Sequence, residues 1–380
     1  MLFLDFVKYV ECPFFGSQKT ERKMNRIKFG KWLILPVIAL LVFGLTQLAY
    51  QFPSVTETVY SRGIYPVLAS VLPYFSTIFP FSLDDTFYAL LVFSFLVLVV
   101  LVVLRKIRIL TAGKIVLNVL AAVFILFYVL WGFNYFRSDI YNRLGLKHRK
   151  ADTKEFVSQL RKLVESTNKS WCSFEDWNPE KVDKQIEASY KNLAPALRLK
   201  YPMGKRKAKP ITVSNFFAQA GISGYYGPFF TEVHVNGRIL PIEYPFVLAH
   251  EKAHQFGITN EAEANFYAWL VCTKSPSKQL QYAANLHVLQ YFLYQGYQLD
   301  EYDAIIARLD KRVKKDLQKI REHWMSMRNE KIDEAASKVN DFYLKTNKIK
   351  EGVKEYSGVV KFVMDYSYDK KFRENLNLNQ

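Results

Sequence analysis

Two histidines and a glutamate within five residues are the first feature of this chain able to do chemistry. The segment from Val247 to Gly257 reads VLAHEKAHQFG and holds His250, Glu251 and His254 in an HExxH spacing behind three apolar residues. On a helix, residues four apart lie one turn above each other, so both imidazoles face one point and can bind a Zn2+ ion at about 2.0–2.1 Å. Glu251 sits beside them as general base, taking a proton from a water whose pKa the ion lowers to about 7 and passing it to a leaving amine. Two ligands do not hold zinc, so a third must come from elsewhere in the chain.

Gly257 stops the first helix, and Asn260-Glu-Ala-Glu-Ala-Asn265 opens another a few residues later, bringing a carboxylate back toward the histidines. Glu261 and Glu263 both come within reach. Glu263, three residues after Asn260, also fits a capping box with Asn260 as N-cap. Glu261 shares with Ala264, Asn265 and Ala268 a small-residue face suited to close approach between helices. The NExxAN pattern resembles the NExx(S/A)D element of gluzincin zinc metallopeptidases. That resemblance implies Glu261 as the third ligand, with Asn265 where the family has an aspartate bonded to a ligand histidine. A neutral amide there lends the site less negative charge.

The same resemblance implies that the strand leading toward the HExxH helix pairs with extended substrate. Phe230 to Val235, including Glu232 and Val233, is the candidate for such edge addition. Gly221 to Gly227, with Tyr225 and Tyr226, is expected as a mobile wall of the cleft, Tyr225 being a further candidate contact. His234 reads as a surface strand histidine, and His148, His287 and His323 have no ligand-like neighbours.

These residues must be held by something, and hydropathy shows what. Residues 33–49, 87–104 and 115–131 are free of charged side chains, and runs of about 17 to 19 residues suit a bilayer core roughly 30 Å thick. The formal net charge of +17 raises the question of nucleic acid against membrane. Basic residues cluster before the first run (Lys19 to Lys31) and between the second and third (Arg105 to Lys114), whereas 51–86 holds only Arg62, a positive-inside pattern that predicts a lipid bilayer as partner and no nucleic acid. The N-terminus is then cytoplasmic and everything after Trp131 extracytoplasmic, with Arg137, Arg143, Lys147, Arg149 and Lys150 arguing the other way.

Four prolines between the first two spans, Pro53, Pro66, Pro73 and Pro80, predict short amphipathic helices, lying in the interface or packed under the soluble domain, rather than one long helix or a fourth span. Beyond them, amphipathic helices are expected over 153–167 and 181–199, strands over 211–215 and 231–236, and helices over 246–256, 260–272, 277–294, most of 302–346 and 353–366. The charge-rich stretch 308–338 reads as a solvated helix. Three cysteines, Cys12, Cys172 and Cys272, are too few for a disulfide framework. Cys172 and Cys272 are the one pair an oxidising compartment would join, and an unpaired buried Cys272 is the blander reading. Met24 is an alternative start to Met1.

Tyr60-Ser-Arg-Gly-Ile-Tyr-Pro66, Pro80-Phe-Ser82, Gly224-Tyr-Tyr-Gly-Pro-Phe229, Ala249-His-Glu-Lys-Ala-His-Gln-Phe-Gly257 with Glu261-Ala-Glu-Ala-Asn-Phe266, and Val339-Asn-Asp-Phe-Tyr-Leu-Lys345 resemble the DUF3810 family of bacterial three-span membrane proteins. The expectation is a cytoplasmic segment 1–32, a membrane domain 33–131 and an extracytoplasmic (periplasmic) domain 132–380. The fold class is mainly α, an α+β gluzincin-like metallopeptidase domain with a small β-sheet after three transmembrane helices. The expected activity is zinc-dependent hydrolysis of a peptide or protein substrate. A non-catalytic zinc-binding sensor or assembly factor, and a zinc amidase acting on a cell-envelope substrate, are the alternatives, and composition does not separate them.

Overall fold

The computed structural model describes residues 30–204, 206–349 and 356–377. The basic N-terminal cluster up to Lys28, Cys12 and both start positions lie outside them.

Three helices are long and apolar enough to cross a membrane: α1 (Ile34–Gln51, preceded by a 3-10 turn), α3 (Leu83–Val103) and α4 (Ile109–Leu130). The last two begin earlier than their apolar runs. At α3 the reason is chemical: Ser82 caps the helix, its hydroxyl accepting the Asp85 N–H at 2.8 Å, and Asp84 and Asp85 occupy the first turn, where a helix favours negative charge. In α4, Lys114 lies over the Trp32 ring of the neighbouring segment, 4.9 Å from its centroid.

Between α1 and α3 the chain departs from expectation. It is helical almost continuously, through Pro53–Val55, a π-helical stretch Thr56–Ile64 and α2 (Tyr65–Ser76). Pro53 and Pro66 sit in first turns, where the missing N–H costs nothing. Only Pro73 interrupts a helix interior.

The remaining elements are helical apart from one small sheet. Helices α5 (Thr153–Ser170) and α6 (Pro179–Leu193) precede β1 (Ala208–Pro210), β2 (Gly224–Gly227) and β3 (Glu232–Val235). Then come α7 (Tyr244–Gln255), α8 (Glu261–Thr273), α9 (Lys278–Gly296), α10 (Lys311–Met327), α11 (Glu330–Thr346) and α12 (Val359–Tyr368). The strand order is β1-β3-β2, β3 running parallel to β1 and antiparallel to β2. The strand expected over 211–215 is displaced to 208–210, and residues 214–219 form a short helix. Pro210, which has no N–H to give a ladder, sits on the outer strand β1.

The core lies around α7 and α8. Every residue from Pro245 to Gln255 and from Ala262 to Cys272 is buried, and the two helices pack on each other. α7 therefore carries His250, Glu251, Lys252, His254 and Gln255 into the interior, where each polar group needs a partner. Cys172 and Cys272 are both free thiols, and the Cys272 Sγ donates weakly to the Pro245 carbonyl.

Candidate metal centre

Three side-chain atoms converge where α7 meets α8. His250 Nε2 lies 3.1 Å from His254 Nε2 and 3.1 Å from Glu261 Oε2, and His254 Nε2 lies 3.4 Å from the same oxygen. Among the described residues this is the group of histidine and acidic side chains that could hold a metal. A tetrahedron with arms of about 2.0–2.1 Å has edges of about 3.3 Å, so the spacing fits three protein ligands on one Zn2+ ion.

Local structure explains the convergence. Helix geometry puts the two imidazoles one turn apart. Gly257 then takes φ +77°, a left-handed conformation open to glycine, and the chain reverses with Ile258 N–H bonded back to Ala253 O. That turn swings the Ile258 carbonyl to 2.7 Å from His254 Nδ1, so in the neutral ring Nδ1 carries the proton and Nε2 is the atom free to act as a ligand. Asn260 caps α8 by accepting the Glu263 N–H at 2.8 Å, which sets the phase of Glu261. The Glu263 carboxylate pairs instead with Arg143, away from the imidazoles.

Glu251 stands alongside, buried at 5 % exposure. Burial raises its pKa above the ordinary carboxylate range against the pull of His250 and His254. Burial would raise Glu261 too, but the two imidazoles hold it well below that range. Burial disfavours the His254 imidazolium, yet Glu261 outweighs it and pushes His254 up to about 9 in the metal-free protein. Gly224 is the close neighbour of Glu251: a Cβ there would stand 2.8 Å from Glu251 Oε1 and 2.9 Å from the His234 carbonyl, so only a bare backbone fits.

The expected bond from Asn265 to a ligand histidine is not made. Its amide donates to the Tyr356 carbonyl at 3.2 Å, and the Tyr356 ring lies parallel to His250 with centroids 6.5 Å apart. His250 Nδ1 is buried without a hydrogen-bond partner among the described residues. The substrate-contact expectations are corrected as well. β3 is the central strand, paired on both sides and wholly buried, so Phe230 to Val235 offers no free edge. Glu232 accepts from Ser82 Oγ (3.1 Å), Asp84 N–H (3.0 Å) and Lys209 Nζ (2.5 Å), Val233 is core, and Phe230 packs on Phe87 at 6.4 Å. Tyr225 lies on the sheet face away from α7, stacked on His234 at 4.2 Å with its hydroxyl donating to Asp85. His234 is fully buried rather than a surface residue, bonded to Ser82 Oγ at 2.7 Å. The outer strand beside Glu251 is β2.

Several neighbours had no signal in the sequence. Trp131, the residue after α4, donates its indole N–H to the His254 carbonyl at 3.0 Å, and Tyr65 of α2 donates to the Gln255 carbonyl at 2.9 Å. Lys252, at 1 % exposure, pairs with Asp183 (2.7 Å) and Glu187 (2.5 Å) of α6. Tyr135, Tyr291, Tyr343 and Tyr356 all feel the Glu261 carboxylate, which after loss of solvation holds their hydroxyls protonated.

Comparison with known proteins places this arrangement. Residues 60–364 match the family described as "Protein of unknown function (DUF3810)". The chain belongs to the DUF3810 family. The match begins at Tyr60 and so takes in α2, the sheet and both site helices of this DUF3810 member. No curated protein and no solved structure matches the chain.

Proposed function

We propose that this chain is a membrane-anchored, zinc-dependent metallopeptidase in which His250, His254 and Glu261 hold the metal and Glu251 is the general base. The observation that carries the reading is the set of three separations, 3.1, 3.1 and 3.4 Å, between ligand atoms of the right chemistry beside a second, buried carboxylate, Glu251. A zinc ion bound there supplies Lewis acidity, polarising a carbonyl and making water acidic enough to lose a proton near neutral pH. The chain's own groups do the rest. His254 is locked in the metal-ready tautomer by Ile258, and Glu251 receives a proton and returns it to the departing nitrogen. The free edge of β2, whose Gly224 abuts Glu251, is where an extended peptide would add.

The topology proposed has the N-terminus in the cytoplasm and the site outside the cytoplasmic membrane. Arg137 and Arg143, which follow the third span, are buried against Glu57 and Glu263 and do not act as free loop charges. Lys147, Arg149 and Lys150 stay exposed farther along the chain, Arg149 paired with Glu155, while Arg105, Lys106 and Arg108 form the short basic loop directly between the second and third spans, which we place on the cytoplasmic side.

Metal analysis of the purified full chain in detergent tests the reading. Near-stoichiometric zinc is expected in the parent and in Glu251→Gln, and its loss in His254→Ala and Glu261→Ala. Glu251→Gln is expected to lower peptide hydrolysis by about 10²- to 10⁴-fold. A metal-free parent under zinc-replete conditions, or a fully active Glu251→Gln, overturns the proposal.

A further inference from the structure

The charge-rich helix α11 carries an apolar stripe that its composition hides. Ala335, Val339, Phe342 and Thr346 recur at steps of four, three and four and lie on one exposed face, Val339 at 69 % and Phe342 at 73 % exposure. The opposite face, with Leu344 buried, turns toward the protein.

The C-terminal end of α11 is tied directly to one face of the apolar bundle, and its N-terminal end is tied to a segment that itself reaches that face. At its C-terminal end the Tyr343 hydroxyl accepts from Tyr135 at 3.0 Å, Asn347 accepts from the Tyr128 hydroxyl at 3.0 Å, and the Lys348 ammonium lies 5.5 Å from the centre of the Tyr50 ring. At its N-terminal end the Asn329 N–H donates to the Gln219 carbonyl at 3.0 Å, in the segment whose Thr212 N–H bonds Asp85 at 2.9 Å. Tyr50, Asp85 and Tyr128 mark the end of α1, the start of α3 and the end of α4, which an up-down-up arrangement brings to the same membrane face. A helix of 17 residues, about 25 Å long, held at that face by its C-terminal end and to the short 214–219 helix above Asp85 by the other is positioned to lie along the face.

We propose that α11 is seated in the bilayer surface, its Val339 and Phe342 stripe in lipid and Lys331 and Lys338 along one border at headgroup level. Lipid is the occupant because the stripe ends beside an apolar surface already exposed at the head of the bundle: Lys348, two residues past Thr346, lies over Tyr50, and Tyr50 and Phe52 at the end of α1 are both exposed. The same helix backs the metal site. Asn340 hydrogen-bonds Tyr356, whose ring lies parallel to His250. Resting on the hydrolase reading, the substrate class follows: a peptide held at the bilayer by its own lipid or transmembrane anchor.

The seat is tested on the full chain, native cysteines replaced by alanine, reconstituted in phosphatidylcholine and phosphatidylglycerol vesicles with spin labels at 339, 342 or 334. Collisions with oxygen are expected to exceed those with a water-soluble nickel chelate at 339 and 342, and the reverse at 334. Labels at 339 and 342 as accessible to the chelate as 334, or shielded from both reagents by a second copy, overturn the proposal. A quenched fluorescent peptide with and without a palmitoyl tail tests the substrate. The tail is expected to raise kcat/KM at least about tenfold, and Val339→Asp with Phe342→Asp to abolish that preference. Equal rates overturn the substrate class. Cleavage of neither peptide, with the label pattern as expected, removes the hydrolase reading and the substrate class together and leaves the seat of α11 standing.

Discussion

His254 is the residue at which fold, charge and the proposed metal chemistry meet. Its Nδ1 proton is committed to the Ile258 carbonyl, and its Nε2 faces both His250 and Glu261. Without metal, the negative Glu261 keeps the ring charged, with its pKa up at about 9 despite burial. The unfolded value is about 6.5. A folded pKa above the unfolded one stabilises fully below about pH 6.5 and is lost as pH rises through about 9. The Tm of chelator-treated protein is therefore expected to fall between these limits, and Glu261→Gln, which lacks the counter-charge, to flatten that fall. Scanning fluorimetry across the range checks it, and an unchanged slope in Glu261→Gln would contradict the pairing. Zinc and that proton compete for Nε2, so metal uptake near pH 7 should release protons.

At the scale of elements, α7 is an unusual interior helix, since its polar residues are held by different neighbours. Lys252 meets α6 through Asp183 and Glu187, Gln255 donates to the Thr231 carbonyl at 2.8 Å beside β3, and the Tyr190 hydroxyl of α6 donates to the Ala249 carbonyl at 2.6 Å. These contacts fix the roll of α7 and hence the aim of both imidazoles. After burial, which opposes it, Lys252 and Arg206 are the main causes that hold Glu187 ionised, at a pKa of about 2. Lys252→Met is expected to destabilise the protein by about 3 kcal/mol, because it strands Asp183 and leaves Glu187 to Arg206 alone. The shift of the denaturant midpoint measures this, and a variant as stable as the parent would show that α7 is held some other way.

At the scale of the whole molecule, the apolar bundle and the C-terminal half share one buried network. Lys209 of β1 donates to the carbonyls of Ser76 and Phe81, both at 2.7 Å, and to Glu232, while Asp84 of α3 accepts the N–H groups of Phe229 and Phe230 at 3.2 and 3.3 Å. With Trp131 and Tyr65 bonded to α7, the site helix is braced from the membrane side. A fragment 132–380 loses all of these partners. Each buried polar group left unpaired costs about 1–3 kcal/mol, so the total approaches the whole stability of a domain. The fragment is expected to lack a cooperative thermal transition, and one melting at the temperature of the full chain would refute the shared network.

Sequence alone was enough for the three apolar helices, the helical periodicity from α5 to α12, and the local geometry of His250, Glu251 and His254. Each depends on spacing along a single element, and spacing is written in the chain. Choosing between Glu261 and Glu263 needed the tertiary fold, because the buried Arg143 that engages Glu263 lies 120 positions away in sequence. So did the place of β3. A four-residue strand reads the same at the edge or the centre of a sheet, and only β1 and β2, drawn in from either side, close its edges. The capping of α3 by Ser82 was local, but its burial against Glu232 and His234 was not. Long-range pairing of polar groups is decided by which surfaces must leave water together, and that information belongs to the folded molecule rather than to any one segment.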